Sequence, residues 1–318
     1  MNVWAGALRY TRLVVAALVL VVGLASIVGL LDRVSWVFEL ADVFRLQYLV
    51  LLVAAALAAL LLRRPNLATL AALLAALNIA VLHIPLTPGA SAAPASAKGS
   101  LRLLVANVET GNTDFAAVDR LVTRTRPDVF GVIELTPAMA QHIRTALPRY
   151  RPRALEPRDD AYGIGVYSRV PLSARLERFP ADGGPPTVVA GVRVAGRPVS
   201  LVITHVHTPF AGSIHVRHLD ALAAARPQFG PRAVVCGDFN TPPWSGPLRE
   251  FAADSRLRDL YGTHAWSGYS WPTWSSLLRV PLDNCFVSPD VVVTDHRDGP
   301  SDGSDHRPLI VDFGIVKR

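Results

Sequence analysis

The 318 residues are 51% hydrophobic and 18% charged, with a formal charge of +7, and this length allows about two domains, at least one with a full core. The charge is divided: residues 1–99 carry seven Lys or Arg against three acids, and the rest carries 25 against 22. So weak an excess, without Lys/Arg runs interleaved with aromatics, excludes a nucleic-acid-coating surface, and two cysteines outside any CxxC spacing exclude a cysteine-built metal cage.

In chain order, residues 13–31, LVVAALVLVVGLASIVGLL, run nineteen positions without a charge, the length that crosses a bilayer core. A second apolar stretch covers about 46–62. A third, Ala-rich and holding Asn78, covers about 67–86 and reads either as a span or as a re-entrant or interfacial helix. Arg9 and Arg12 precede the first stretch, and Arg63 and Arg64 fill the short turn between the second and third. Basic short loops stay cytoplasmic, so three spans put the N-terminus inside and the chain after residue 86 outside; two spans would turn the later chain inward. The connection DRVSWVFELADVFR suits an outer interfacial segment, and a cleaved signal peptide fits poorly because two more apolar stretches follow. Residues 1–85 are thus a membrane region of three helices. Residues 86–99, rich in Pro, Ala, Ser and Gly, form a flexible linker before a domain at 100–318.

In that domain LRLLVANV (101–108) reads as a buried strand, and TDFAAVDRLVTRT (113–125) as a helix capped by Asn112 or Thr113. A strand at 127–135 follows, then a helix with Thr136 at the N-cap and Pro137 at the first position. Further strands read at YGIGVYSR, TVVAGVRVAG, RPVSLVITHVH, RAVVCGDFN, PLDNCFVS and RPLIVDF, with helices near 212–226 and 245–254. Strands outnumber helices and several are joined by turn-length links. The fold class is therefore α/β with mixed or antiparallel sheets packed together and helices outside.

Polar residues recur at strand ends: Asn107 and Glu109, Glu134, His205 and His207, Asp238 and Asn240 at the C-terminal ends, Asp283 and Asp305-His306 at the beginnings. One such residue is ordinary strand punctuation. A set of acids, amides and imidazoles with no Lys or Cys suits a hard divalent cation and a phosphate. Cys236 and Cys285, each inside an apolar run, read as buried free thiols, with a disulfide permitted outside the cytoplasm. His207 and His215 read as solvent-facing or rim residues, and a zinc site from His205, His207 and His215 is the minor alternative.

The segments VANVETGN, VIEL, THVH, GDFNTPPWS, LDNCFVS and GSDHRP resemble, in order and rough spacing, the endonuclease/exonuclease/phosphatase superfamily (DNase I-like). With apolar segments in front, the chain looks like that superfamily's membrane-anchored bacterial branch, which includes glycopeptide-resistance-associated phosphatases. The resemblance implies a four-layer α/β/β/α sandwich, Mg²⁺ or Mn²⁺, and hydrolysis of a phosphate ester or anhydride. It implies Glu134, Asn107, Asp305 and Glu109 at the metal. Asp238 would direct the attacking water, Asn240 and His205 would contact phosphate, and His306 would donate to a phosphate oxygen with Asp283 as its partner. Asn284 stands where the superfamily often has His, and Glu109 where some members have Asp.

Trp244, Trp266, Trp271 and Trp274 flank these motifs and read as lipid-docking or groove-lining residues, Trp271 at the substrate, or else as core. The expected substrate is therefore a lipid-linked phosphate, such as a polyprenyl pyrophosphate, at the outer face of the cell membrane. Nucleic acid is the alternative, and a non-catalytic binding module a further one.

Overall fold

The computed structural model describes residues 3–83, 97–260 and 268–316. Two compact units result, Met1–Pro85 with Trp244–Gly246, and the remainder.

The first unit is helical. α1 spans Val3–Val28 and runs into a 3-10 turn at Gly29–Leu31, α2 spans Trp36–Asp42, α3 Arg45–Leu61 and α4 Pro65–His83. The short α2 lies in the connection read as interfacial, and Ser35 caps it by accepting from the Val37 N–H. Gly6–Leu31 and Pro65–His83 are each long and apolar enough to cross a membrane; α2 with α3, bent by 58° at their break, makes a third candidate if the pair is one span. Residues 84–86 of the expected third segment lie outside the described residues. Small residues such as Ala55, Ala59 and Ala71 are buried between the helices, which lets apolar helices approach closely. Asn78 sits in an otherwise apolar face because it is fully satisfied there. Its Nδ2 donates to Ser26 Oγ and to the Leu74 carbonyl, both at 2.9 Å. Arg45, 1% exposed, pairs with Asp42 and donates to the Ser26 carbonyl at 3.0 Å.

Among the described residues the second unit holds twelve strands in two sheets, ordered β11-β12-β1-β2-β4-β3 and β5-β6-β7-β8-β10-β9. The first sheet comprises β1 (Ala97–Asn107), β2 (Val129–Ile133), β3 (Arg151–Glu156), β4 (Ile164–Ser168), β11 (Val291–Asp298) and β12 (Leu309–Val316). The second comprises β5 (Ser173–Arg178), β6 (Pro186–Val194), β7 (Arg197–His205), β8 (Ala233–Asp238), β9 (Arg258–Asp259) and β10 (Asp283–Val287). In each sheet one pair is parallel, β1 with β2 and β7 with β8, and the rest are antiparallel. The facing sides interlock through Leu103, Val105, Ile133, Ile203, Val234 and their neighbours. α5 (Phe115–Thr125) and α6 (Pro137–Ala146) cover the outside of the first sheet, α7 (Ser213–Ala224) and α8 (Gly246–Ser255) that of the second. This is the four-layer α/β/β/α sandwich, and the central strands are apolar on both faces because both are covered.

Several local expectations change. β1 begins at Ala97 and pairs with β12 from there, so residues 97–99 are strand; 86–96 of the linker lie outside the described residues. The cap of α5 is Asp114, whose carboxylate accepts from the Ala117 N–H, not Asn112 or Thr113, while Thr136 and Pro137 open α6 as expected. Cys236 and Cys285 are not free thiols: antiparallel pairing of β8 with β10 sets them opposite each other, their Cα atoms 4.1 Å apart, joined in a disulfide.

Candidate active site

Register brings the strand ends together. Asn107 closes β1 level with Ile133 of β2, and Glu134 is the next residue. In the other sheet His205 ends β7 level with Asp238, the last residue of β8, and Asp238 faces Asp283, the first of β10. Asn107 spans the two sheets, its Nδ2 lying 3.0 Å from Glu134 Oε1 and 3.2 Å from Asp238 Oδ2.

One turn device closes both key strands. Asn107 Oδ1 accepts from the Glu109 N–H at 3.0 Å, and Asp238 Oδ1 accepts from the Asn240 N–H at 2.8 Å. Each is a side chain bonding backbone two residues on, which reverses the chain at once. Glu109 and Asn240 accordingly take φ of 60° and 54°, and Glu134 takes 60° as well, a left-handed conformation that costs on the order of 1 kcal/mol for a residue with a Cβ. The turn bonds stabilise it at Glu109 and Asn240, while Glu134 is held through its side chain: its Oε2 accepts from the Thr110 N–H and hydroxyl, both at 2.9 Å.

The remaining predicted residues join the same network. Asp305 donates its N–H to Glu109 Oε2 at 3.0 Å and accepts from Trp271 Nε1 at 2.8 Å. His306 Nδ1 lies 2.8 Å from Asp283 Oδ2 and its Nε2 is 3.6 Å from Asp238 Oδ2. His205 Nε2 is also 3.6 Å from Asp238 Oδ2, while its Nδ1 contacts the Ala161 carbonyl at 2.8 Å. That carbonyl accepts, so His205 Nδ1 carries the hydrogen and Nε2 faces the carboxylate as an acceptor unless the ring is charged. Asn240 Nδ2 donates to the Val206 carbonyl at 2.8 Å, so one amide hydrogen is spent on the backbone. Trp271 lies beside the acids and is half-buried, tied to Asp305.

Three residues with no strand-end signature also belong here. Thr110 holds Glu134, and Ser270 Oγ accepts from the Asp283 N–H at 3.2 Å. Tyr162 packs against both His205 and His207, with ring centroids 5.5 and 5.1 Å apart. Of these only Thr110 was accessible, from its place three residues after a strand-end Asn.

Electrostatics divide the site. Burial works against a charge on His306, but Asp283, Asp238 and Asp305 outweigh it and push the imidazole up to about 10. Burial raises the Asp283 carboxyl; the proton of the pair belongs on the ring, since all three carboxylates act on it. On the other side burial raises the Glu109 carboxyl, and the charges of Asp305 and Glu134 raise it further. These carboxylates, with the Asn107 amide beside them, are oxygen donors of the kind a hard divalent cation takes. Ligand atoms of Asp238, Asp283 and His306 also lie within 4.8 Å of one another, but Asp283 Oδ2 is already engaged by the His306 N–H. The Asn107, Glu109, Glu134 and Asp305 side offers further oxygen donors, with Asp238 between the two groups. The residues present fit a divalent cation, which would polarise a bound phosphate. The chain's own parts are a buried acid beside two histidines and a charged imidazole to meet developing charge.

Other histidines correct the sequence reading. His215 and His218 are buried on α7, and His207 is half-buried. His215 Nδ1 donates to the His207 carbonyl, and His218 Nδ1 accepts from the His207 N–H at 3.4 Å. Burial lowers His218 to about 3, so it stays neutral as an acceptor. These rings clamp the segment behind His205; among the described residues, His205, His207 and His215 form no metal cluster. Asp302, which the glycines around it mark as a turn residue, is fully buried, and burial raises its carboxyl to about 7. Trp244 is 3% exposed and so presents nothing to lipid, Trp274 is 72% exposed, and Trp266 lies outside the described residues.

The profile of the Endonuclease/Exonuclease/phosphatase family matches residues 104–306. Solved structures share the fold. Zebrafish TDP2, crystallised with a single-strand DNA product, is 19% identical with a TM-score of 0.56 over 68% of this chain and 99% of its own. The endonuclease/exonuclease/phosphatase from Beutenbergia cavernae is 18% identical, TM-score 0.52, over 69% of this chain and 72% of its own. The human Nocturnin catalytic domain with bound sulfate is 18% identical, TM-score 0.53, over 68% and 94%. No curated relative matches.

Proposed function

The chain belongs to the endonuclease/exonuclease/phosphatase family, hydrolases of phosphate ester bonds, and from that premise we propose that it hydrolyses a lipid-linked phosphate, such as a polyprenyl pyrophosphate, using Mg²⁺ or Mn²⁺ at the outer face of a membrane. The observation that carries this reading is the set of exposed apolar side chains in the two segments that follow site residues, which we take as an apolar rim. Phe210 and Ile214 follow the His205 strand and are 71% and 43% exposed; Trp274, Leu277 and Leu278 follow Trp271 and are 72%, 83% and 45% exposed. Such side chains in water on the segments that carry a polar site suit a ligand with a charged head and an apolar tail.

Two further observations support it. The disulfide suits an oxidising compartment, as three spans would provide. The arginines that a nuclease would use stand elsewhere: Arg149, Arg151, Arg153 and Arg169 surround a cavity of about 740 Å³. Arg151 pairs with Ser168 and Ser168 with Val129, at the start of β2, whereas Glu134 follows its end. In this reading Asp238 directs the attacking water, His205 and Asn240 contact the phosphate, His306 held by Asp283 donates to it, and Glu134, Asn107, Glu109 and Asp305 hold the cation.

The test is phosphate release from polyprenyl pyrophosphate by the detergent-solubilised full chain with Mg²⁺, beside nicking of plasmid DNA, for wild type and Asp238→Ala. Release by wild type and not the variant is expected. Nicking without release would replace the lipid reading by a nuclease, and neither activity above the variant would remove both.

A further inference from the structure

At one end of the helical unit four arginines face a cavity of about 600 Å³. Its walls are Arg9, Arg12, Arg63, Arg64 and Asn66, together with Leu13, Ala16, Pro65 and Leu67. Arg9 and Arg12 lie one turn apart on α1, while Arg63 and Arg64 form the turn from α3 to α4. The three acids of the first 99 residues, Asp32, Glu39 and Asp42, all lie beyond the other end of α1. Among the described residues these four guanidiniums make no ion pair.

Arginines that only set insertion need charge and not a shape. Arg9, Arg63 and Arg64 are exposed, and Arg12 between them is fixed. Arg12 is half-buried: its Nη2 donates to the Leu62 carbonyl at 3.1 Å, and its Nε is shielded from solvent without a partner. The turn closes tightly, with the Arg63 N–H on the Leu60 carbonyl and the Arg64 N–H on the Ala59 carbonyl. Arg63 takes φ 55° there, the left-handed position that glycine ordinarily fills at a helix end. The cavity thus combines four forked donors with apolar side chains at the ends of helices long and apolar enough for a bilayer. Guanidinium forks bind phosphate oxygens in pairs, and basic pockets at the ends of membrane helices select anionic head groups.

We infer that this cavity binds an anionic phospholipid of the surrounding bilayer, its phosphate held by Arg9, Arg12, Arg63 and Arg64 and its upper acyl segment lying on Leu13, Ala16 and Leu67. The inference rests on the helical unit sitting in a bilayer and not on the identity of the hydrolysed substrate. None of its residues belongs to the candidate active site.

The experiment uses the full chain in mild detergent and follows its thermal unfolding and ligand binding by native mass spectrometry. Phosphatidylglycerol, phosphatidylcholine and inorganic phosphate are added separately. Stabilisation and retained mass are expected with phosphatidylglycerol and not with the other two. Arg12→Gln and Arg64→Gln should each weaken binding about fivefold, the value of one arginine at a charged surface. Because lost charge can also disturb insertion, Arg12→Lys with Arg64→Lys keeps the charge and removes the forks, and should still weaken binding. Asp238→Ala should bind as wild type, which separates this site from the catalytic one. Equal stabilisation by phosphatidylcholine, equal stabilisation by inorganic phosphate, or unchanged binding in the arginine variants would overturn the inference.

Discussion

His306 and Asp283 form a buried pair 2.8 Å apart, and each is supplied by a segment that the other holds in place. Asp283 opens β10, while His306 lies in the loop before β12, in the opposite sheet. Removing the charge with Asp283→Asn leaves the shape and takes away the main attraction on the imidazolium. We expect kcat/KM for phosphate release to fall about 100-fold or more, the usual worth of a positioned acid or electrostatic donor. Circular dichroism should stay unchanged, and a variant with wild-type turnover would remove His306 from the chemistry.

Trp271→Phe deletes the N–H on Asp305 and keeps most of the ring. Partners that orient a metal ligand typically affect affinity about 10-fold or more. The Mg²⁺ concentration for half-maximal activity should therefore rise by that order while the thermal midpoint moves little. Isothermal titration with Mn²⁺ checks it independently; an unchanged half-maximal Mg²⁺ concentration together with an unchanged Mn²⁺ affinity would place Asp305 outside the cation site.

Asp302 gives a pH dependence of stability. Its carboxyl is raised to about 7 by burial, from an ordinary 3.8. Below about pH 4 both folded and unfolded forms are neutral. Between about pH 4 and 7 the unfolded chain releases the proton while the folded chain keeps it, so stability falls as pH rises and levels off above 7. Asp302→Asn should flatten this slope and add on the order of 4 kcal/mol at pH 8. Thermal midpoints across that range read it out, and a parallel pair of curves would refute the assignment.

The apolar rim separates substrates by tail. Phe210→Ser with Trp274→Ser should raise KM for a polyprenyl substrate about tenfold, since each buried apolar side chain contributes a few kcal/mol at most and part remains exposed. KM for a water-soluble phosphate ester should not move. An equal change for both substrates would make the rim structural.

The strand ends were legible because apolar runs that stop on Asn, Glu, His or Asp are short-range patterns, and Asn107, Glu134, His205 and Asp238 meet as that pattern implies. Long-range facts were not. Whether Cys236 meets Cys285 depends on β10 lying beside β8, a neighbour relation between segments 49 residues apart in sequence. Asp302 reads as a turn residue by its glycines, yet packing around it decides its burial. Trp244 follows the same logic, since a Trp after a loop motif carries no mark of which side it faces. His218 has no motif at all, and its role comes from α7 laying it against the backbone of His207.

The disulfide acts as a ruler for the chemistry. Along β8 and β10 the pairs run Asp238 with Asp283, Asn284 with Gly237 and Cys285 with Cys236, so the covalent link sits two positions from the paired acids. A slip of β10 by one residue would turn Asp283 to the other face and away from His306, and the bond forbids that slip. Once the thiols have joined, the spacing of the two acids is a matter of covalent length, settled before any phosphate arrives.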